Sequence, residues 1–434
     1  MIAFILRLIR WWYHKLKLDK LLHLASEIRT AILVPSIRRN YVLDLNRLRN
    51  KFGKQKIRVL FLSSDDTKWK VQSLYQCFEE SKEFEPVVAL SIYGWHDDLG
   101  AAEQRLVKAV TFFRNRGIMV EYAYDRTAHS ARALSEFSPD IVFYDQPWDI
   151  MPEHDPAVVS KYALTCYVPY MLPSFDLMPI DYFSFHRRLH LEFMLSEGWI
   201  DRLTSIKGHR SSAGSLVATG HPMLDIFPKT ISSVAKDSYV IYAPHWTFPH
   251  PHNPNPLNIS TFLWSAKPIL AYAQRHREIN WAFKPHPALK GALVKSGAMS
   301  AEEIDAYYQA WADIGTCCYT GDYPELFLRS RAMITDCASF LTEYACTGHP
   351  LIRLVSSSSK VHPSKLSEDL YSTYYTVENI GELEPMLENV VRRMEDPRKS
   401  ERIRAASKLG LGGTNAAANI FDHICNQLNG RNEV

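Results

Sequence analysis

The sequence predicts two Rossmann-like, doubly wound α/β domains in series, preceded by an amphipathic helical amino-terminal segment. Three features predict this. From about Lys56 onward, apolar runs of strand length alternate with longer stretches of helical period, the pattern of a parallel sheet covered on both faces. The alternation restarts after Asp237. With 434 residues, 46% hydrophobic and 22% charged, the chain is too long for one ordinary core and has the composition of a folded protein.

The segment 1–55 opens with MIAFILRLIRWWYHKLKLDK, in which Ile, Leu, Phe and Trp side chains are interleaved with Arg7, Arg10, Lys15 and Lys17, and Asp19 is the first acid. The two arginines interrupt the apolar run well short of the roughly 20 residues a membrane-spanning helix needs, and no small-residue cleavage site follows. An interfacial helix fits this pattern, with Trp at the headgroup level and cations towards anionic lipid; a helix that docks on the protein body fits it equally. The membrane reading places the protein in the cytoplasm, attached peripherally to the inner face of the cell membrane.

In the first domain, 56–220, IRVLFLS (Ile57–Ser63) reads as a strand followed by a helix over 67–81. PVVALS after Pro86 is a second strand, 101–116 a helix stopped at Gly117, and IMVEYA a third strand. Ser138-Pro139 breaks the next helix before DIVFYD, whose apolar middle suits a buried strand. The second domain, 221–390, carries YVIYAP, WAFKPHP, AMITD and PLIRLV as successive strands, and 391–434 reads as closing helices.

Bulk chemistry narrows the partners. A formal net charge of +3 is small for this length and argues against a surface built to neutralise nucleic acid. Seven cysteines form an odd set without a C-x-x-C spacing, which suits a reducing compartment; the adjacent Cys317 and Cys318 read as small buried residues beside a strand.

Ligands of open α/β sheets bind beyond the carboxyl ends of the strands, and those ends are polar in the second domain. YVIYAP is followed by His245, Trp246 and Thr247; WAF by Lys284, Pro285 and His286; AMI by Thr335, Asp336, Cys337, Ala338 and Ser339. GDYPELF adds Asp322 and Tyr323 in a loop entering a helix. A helix beginning after Asp336 offers backbone N–H groups to an anion, and Ser339 adds a hydroxyl. Lys284, His245 and His286 are suited to charge stabilisation on a phosphoryl group, and Trp246 to stacking on a base. Glu343, one turn after Ser339 and facing the same end, is a further candidate contact to the donor. Each has a structural reading as well: Asp336 as a helix cap, His286 as a rigid turn residue, Glu343 as a solvated helix residue.

Other chemistries are poorly supported. The chain lacks G-x-x-x-x-G-K-[ST], G-x-S-x-G and H-E-x-x-H, and GLGGTN (Gly410–Asn415) lies among helices instead of after a strand. His245, His250, His252 and His286 have no matching carboxylate or cysteine spacing for a metal centre, and the D-x-D pair of many sugar transferases is absent. The expectation is a mechanism without a metal or other cofactor.

At YAPHWTF (Tyr242–Phe248), FKPHP (Phe283–Pro287), GDYPELF (Gly321–Phe327) and ITDCASFLTEYACTGHPLI (Ile334–Ile352), in that order, the sequence resembles the CDP-glycerol glycerophosphotransferase family of teichoic-acid primases and polymerases and related capsule enzymes. ATGHPMLDIF (Ala218–Phe227) is similar to that family's interdomain segment. The resemblance covers about 217–353 and is weak over the first domain. It implies a GT-B fold of two facing domains, with the donor on the second, and attachment to the membrane. It also implies attack of a hydroxyl of a membrane-linked polymer on the donor β-phosphorus of CDP-glycerol or a similar nucleotide, with release of CMP. On that basis His286 and Lys284 contact donor phosphates, while Thr335, Asp336 and Ser339 hold the diphosphate or polyol.

One departure bears on the reaction. The family's polymerases carry a Trp-His-Gly histidine in the first domain, and the corresponding stretch here, Cys166–Asp176, has no His. Tyr170, Asp176 or His245 remain as alternatives for the base. On the acceptor side Asp66, Thr67 and Lys68 follow the first strand, where Asp66 and Thr67 also suit a cap. A glycosyltransferase using a nucleotide sugar and a non-catalytic binding member are the competing readings.

Overall fold

The computed structural model of the protein describes residues 18–92, 99–172, 183–205, 216–227, 238–252, 257–317, 323–359 and 362–430. The chain divides into two compact units: 1–170 with 178–219 and 417–434, and 171–177 with 220–416. Each is built on a parallel sheet wound in both directions from its middle, with a short antiparallel pair, Tyr124–Asp125 and Ser130–Ala131, added in the first, so the expected class, two Rossmann-like α/β folds behind an amino-terminal helix, is the observed one.

Helix α1 (Leu18–Lys51) leads into the first unit. The expected membrane foot, residues 1–20, lies outside the described residues apart from the backbone of 18–20. The described part of α1 is apolar on both faces, burying Ile37, Leu45 and Leu48 and exposing Ile28, Ile32, Val42 and Leu43. Among the described residues no helix is long and apolar enough to cross a membrane. The end of α1 is tied to the sheet by Asp140: its carboxylate accepts from Arg47 (2.5 Å), from Lys51 and from the backbone N–H of Arg58 (2.9 Å).

The first sheet has seven strands: β1 (Ile57–Ser63), β2 (Phe84–Leu90), β3 (Val120–Tyr122), β4 (Ile141–Tyr144), β5 (Leu164–Tyr167), β6 (Leu191–Met194) and β7 (Leu216–Ala218). Their spatial order is β3-β2-β1-β4-β5-β6-β7. The chain therefore steps outward from β1, returns and steps outward again from β4, leaving a switch point between β1 and β4. β1 and β4 are nearly continuous apolar runs because both faces are covered. Phe61 stacks on Phe143 (5.0 Å between centroids, 10°), and Phe78 and Phe84 pack against Phe421 of α7 (Ala416–Leu428), the last helix.

The helix expected over 67–81 is shorter. A 3₁₀ turn, Asp66–Lys68, comes first, and helix α2 runs Gln72–Glu80. The cause is Asp65, which caps the turn by accepting from the backbone N–H and the hydroxyl of Thr67, both at 2.8 Å. The helix over 101–116 is α3 (Leu99–Arg114), closed at Gly117, whose φ of +69° suits glycine.

The second sheet has the order β10-β9-β8-β11-β12-β13, formed by β8 (Tyr239–Ala243), β9 (Trp281–Phe283), β10 (Gly315–Cys317), β11 (Ser330–Thr335), β12 (Leu351–Leu354) and β13 (Tyr375–Val377). Its switch point lies between β8 and β11. Edge strands β10 and β13 are short and were not marked by apolar runs. Cys317 lies on β10, half-buried, instead of beside a strand; Cys318 lies outside the described residues. Helix α4 (Phe262–Arg275) and helix α5 (Ala301–Ala312) supply partners to the core, where Phe283 stacks on Trp311 (5.2 Å, 10°).

Gly315 is required by close approach: a Cβ there would lie 2.4 Å from the carbonyl oxygen of Trp281, its register partner on β9. Gly315→Ala is expected to lower the stability of the second unit by about 1–3 kcal/mol. Urea unfolding followed by Trp fluorescence measures it, and a midpoint equal to wild type would contradict the packing described.

Candidate functional site

The candidate site lies in the second unit, at its switch point, where the loops after β8 and β11 diverge and the loop after β9 lies alongside. Strand register sets the starting positions: Tyr242 pairs with Phe283 on one side and Ile334 on the other. Lys284 N–H then donates to Tyr242 O (2.8 Å) and His286 N–H to Pro244 O (3.0 Å), so the β9 exit follows the β8 exit.

His245 and His286 thereby come face to edge, with ring centroids 5.0 Å apart, and Trp246 lies 6.0 Å from His286 and 6.1 Å from His245. The tautomers follow from the hydrogen bonds. The backbone N–H of Thr247 donates to His245 Nδ1 (3.2 Å) and that of Ala288 to His286 Nδ1 (3.1 Å). Each Nδ1 is an acceptor, so each neutral ring carries its hydrogen on Nε2. Thr247 Oγ1 also lies 2.8 Å from His245 Nδ1. Burial pulls the His245 imidazole down to about 4. Burial first, then His245 and Lys284 as neighbours, hold His286 well below the ordinary histidine value. At neutral pH both rings are uncharged donors, and an anion brought against them would raise both values.

Lys284 is buried with its ammonium over two aromatic faces, 5.5 Å from the ring centre of Tyr323 and 5.9 Å from that of Phe340. The Tyr323 hydroxyl donates to Glu343, which is buried with it. Glu343 thus supports the aromatic wall behind the lysine, where the sequence offered it as a contact to the donor or a solvated helix residue.

Asp336 has a different place from the one expected. It is buried, and it does not cap the helix that follows it. One carboxylate oxygen accepts from the backbone N–H of His245 (2.6 Å); the other accepts from the N–H (2.6 Å) and hydroxyl (2.9 Å) of Thr261, the residue before α4. With its lone pairs engaged, Asp336 is a positioning residue that joins the β8 exit to the start of α4. Thr335 assists: its hydroxyl donates to Ala243 O (2.6 Å) and accepts from Cys337 N–H (2.9 Å).

The expected anion site at the following helix is weaker than its sequence suggested. Helix α6 (Ala338–Glu343) has six residues, too few to sum to a full macrodipole, and its first residue is preceded by Cys337 without a side-chain cap. Ser339 is half-buried, with its hydroxyl 3.5 Å from Cys337 Sγ. Asp322 lies outside the described residues. Among the described residues no group of three or more His, Cys, Asp or Glu side chains is arranged to hold a metal ion.

Of the acceptor-side candidates in the first unit, Lys68 and Tyr170 come together, the ammonium 5.6 Å from the ring centre. Asp66 does not act as the cap, a role Asp65 fills; burial, followed by Asp65 as neighbour, raises its carboxyl. Sequence reasoning passed over Asp145 and Gln146, which follow β4 and meet Lys68, although the strand-end rule applied to the second domain would have singled them out.

Neither a protein-family model nor a curated protein matches the sequence. Solved structures match in fold. UDP-GlcNAc 2-epimerase from Neisseria meningitidis bound to UDP-GlcNAc shares 12% identity over 86% of this chain and 100% of its own, with a TM-score of 0.53. A variant of the wall teichoic acid polymerase TagF shares 13% identity over 95% of this chain and 98% of its own, with a TM-score of 0.55. The same polymerase variant soaked with CDPG gives 13% identity, 96% and 100% coverage and a TM-score of 0.50.

The depressed histidine values have a thermodynamic consequence. Between pH about 6.5 and 4 the unfolded chain binds a proton at position 245 that the folded chain refuses, so stability falls as pH falls through that window. His245→Asn is expected to remove about 1–2 kcal/mol of this acid sensitivity. Urea titrations at pH 7, 5.5 and 4.5 read it as a flatter profile than wild type, and parallel profiles would refute the assignment.

Proposed function

We propose that the chain transfers glycerol phosphate or a related polyol phosphate from a CDP-activated donor to a membrane-linked cell-surface polymer, as in teichoic-acid or capsule synthesis, releasing CMP. The observation that carries this reading is the approach of His245 to His286 at the switch point of the second unit, with the Lys284 charge near enough to lower His286. Two Nε2–H donors and a buried ammonium suit a diphosphate, which needs charge stabilisation more than covalent help when phosphoryl is transferred. The motif resemblance over the same strand ends supports it, as does a fold shared with a wall teichoic acid polymerase.

In this mechanism an acceptor hydroxyl forms a bond to the β-phosphorus and gives up its proton to solvent water, since both imidazoles already carry hydrogen on Nε2 and accept at Nδ1. The bond from that phosphorus to the bridging oxygen breaks, its electron pair leaving with CMP. His286 and Lys284 stabilise the charge gathering on the phosphoryl and leaving oxygens, and Trp246 offers its ring to the base. Thr247, Thr335 and Asp336 fix the loops that carry these groups; Lys284 supplies positive charge, and the two imidazoles supply Nε2–H hydrogen bonds. The protein works on the cytoplasmic side, attached to the membrane through its amino-terminal segment.

CMP release from CDP-glycerol, CDP-ribitol and nucleotide sugars tests the donor. His286→Ala and Lys284→Ala are each expected to lower turnover of the preferred CDP donor by about 10²–10³-fold, the usual cost of removing one preorganised donor. Unchanged turnover removes that residue from the site, and turnover confined to nucleotide sugars replaces the reading with glycosyl transfer. Deleting residues 1–20 is expected to release the protein from vesicles containing anionic lipid in a flotation assay; retained binding would show that the segment is no membrane foot.

A further inference from the structure

The edge of the second sheet where its strands begin, opposite the candidate site, carries a group of side chains that the transferase reading does not use. A 3₁₀ turn, Tyr344–Thr347, ends at Gly348 (φ +65°), and His349 and Pro350 lead from it into β12. Against this turn lies the start of a ten-residue helix, Lys399–Lys408. Arg402 makes the connection: its Nε and Nη2 donate to the Gly348 carbonyl at 3.3 and 3.0 Å. Helical side chains lean towards the amino end of their own helix, which brings this guanidinium to the first turn.

Three sets of donors there lack acceptors. Arg402 is completely buried, and its ion-pair partner, Asp396, is shared with the Tyr375 hydroxyl (2.9 Å). Its Nη1 is buried with no hydrogen-bond partner. His349 is only 8% exposed; its backbone N–H donates to the Thr347 hydroxyl (3.1 Å), but neither ring nitrogen has a hydrogen-bond partner among the described residues. Burial, followed by Lys399 and Arg402 as neighbours, pulls the imidazole down to about 4, with Asp396 acting the other way, so the ring is neutral and has one N–H to donate. The helix start is the third set. Arg398, which precedes it, provides no side-chain cap. The N–H of Lys399 is bonded to Asp396 O (3.3 Å) and that of Arg402 to Arg398 O (3.0 Å), whereas those of Ser400 and Glu401 have no partner among the described residues. The Lys399 side chain is exposed beside them, as is Glu401, the acid of this turn.

Buried polar groups ordinarily find partners, and a helix start by itself is commonly satisfied by water. Here it coincides with a buried imidazole and a buried guanidinium that also lack acceptors. A ligand that answers them brings acceptors and negative charge. A cation would meet Lys399 and Arg402. A carboxylate has two oxygens in one plane, whereas a phosphate presents its oxygens tetrahedrally, which suits donors arriving separately from the helix axis, from the lysine and from the loop before β12.

We propose that the first turn of this helix, together with Lys399 and His349, is a binding site for a phosphate group, independent of the nucleotide reading and on the edge of the sheet away from His245 and His286. Arg402 acts behind it as the positioning cation, holding the Gly348 carbonyl and supplying buried positive charge.

Isothermal titration calorimetry on the full-length His286→Ala chain tests this, since that substitution impairs the candidate site on the other edge. Inorganic phosphate, glycerol 3-phosphate and acetate are the probes, at constant ionic strength. Saturable binding of phosphate is expected to persist in this background, with acetate about tenfold weaker or more. Adding Lys399→Ala is expected to weaken phosphate about tenfold, and adding His349→Phe, which keeps a ring and removes both nitrogens, about threefold to tenfold. Should the buried His349→Phe variant fail to fold, the exposed Lys399→Ala position carries the test. Glycerol 3-phosphate binding as tightly as phosphate assigns the site to a phosphate monoester of a larger ligand, and weaker binding assigns it to the free ion. Absence of phosphate binding in the His286→Ala chain, undiminished binding on adding Lys399→Ala, or acetate binding equal to phosphate would overturn the proposal. Because no nucleotide is present, failure of the transferase reading leaves this result untouched.

Discussion

The buried carboxylate of Asp336 is the interaction on which the second unit's strand-end architecture depends. It stands directly after β11 and accepts three hydrogen bonds, from the backbone beyond β8 and from both the amide and hydroxyl of Thr261. The Thr261 N–H among them is buried, and leaving such a group without its partner costs about 1–3 kcal/mol. Because His245 contributes its own N–H, the position of its imidazole is set through the backbone. His286 follows in turn, since its N–H is bonded to the adjoining Pro244 carbonyl.

The two units repeat one topology and fill it with different side chains. Each sheet reverses its direction of growth next to its first strand, and each gathers polar residues where the reversal opens the loops. In the second unit the groups gathered there are two imidazoles with hydrogen on Nε2 and a lysine against aromatic rings. In the first a lysine bonded to the Gln146 amide stands near the carboxylate of Asp145, which accepts from Ser63. The common geometry comes from winding; the difference comes from a few side chains and from the bonds that fix their hydrogens.

How much could be read from the sequence depended on how local its cause was. The central strands of both sheets are largely apolar because helices cover both faces, and runs such as IRVLFLS and YVIYA announce this directly. The edge strands at Gly315–Cys317 and Tyr375–Val377 pair on one side only and have three residues each, so no apolar run marks them. At the site, the identity of the strand-end residues was legible, but the direction of their hydrogen bonds was not. Asp between a strand and a helix reads as a cap for its own helix; that Asp336 instead serves Thr261, 75 positions earlier, is a matter of tertiary register. Asp65 took the capping role from Asp66 for a subtler reason, a shift of one residue in a turn.

The closing helix Ala416–Leu428 buries Ile420, Ile424 and Leu428 in the core built by the first 219 residues, beside Phe78 and Phe84. During synthesis that core stays open on one side until the whole intervening stretch, 220–416, has left the ribosome. At about 5–20 residues per second this is a delay on the order of 10–40 s, during which a large aromatic surface is uncovered. Completion of the first unit's core is therefore timed by translation of the other unit.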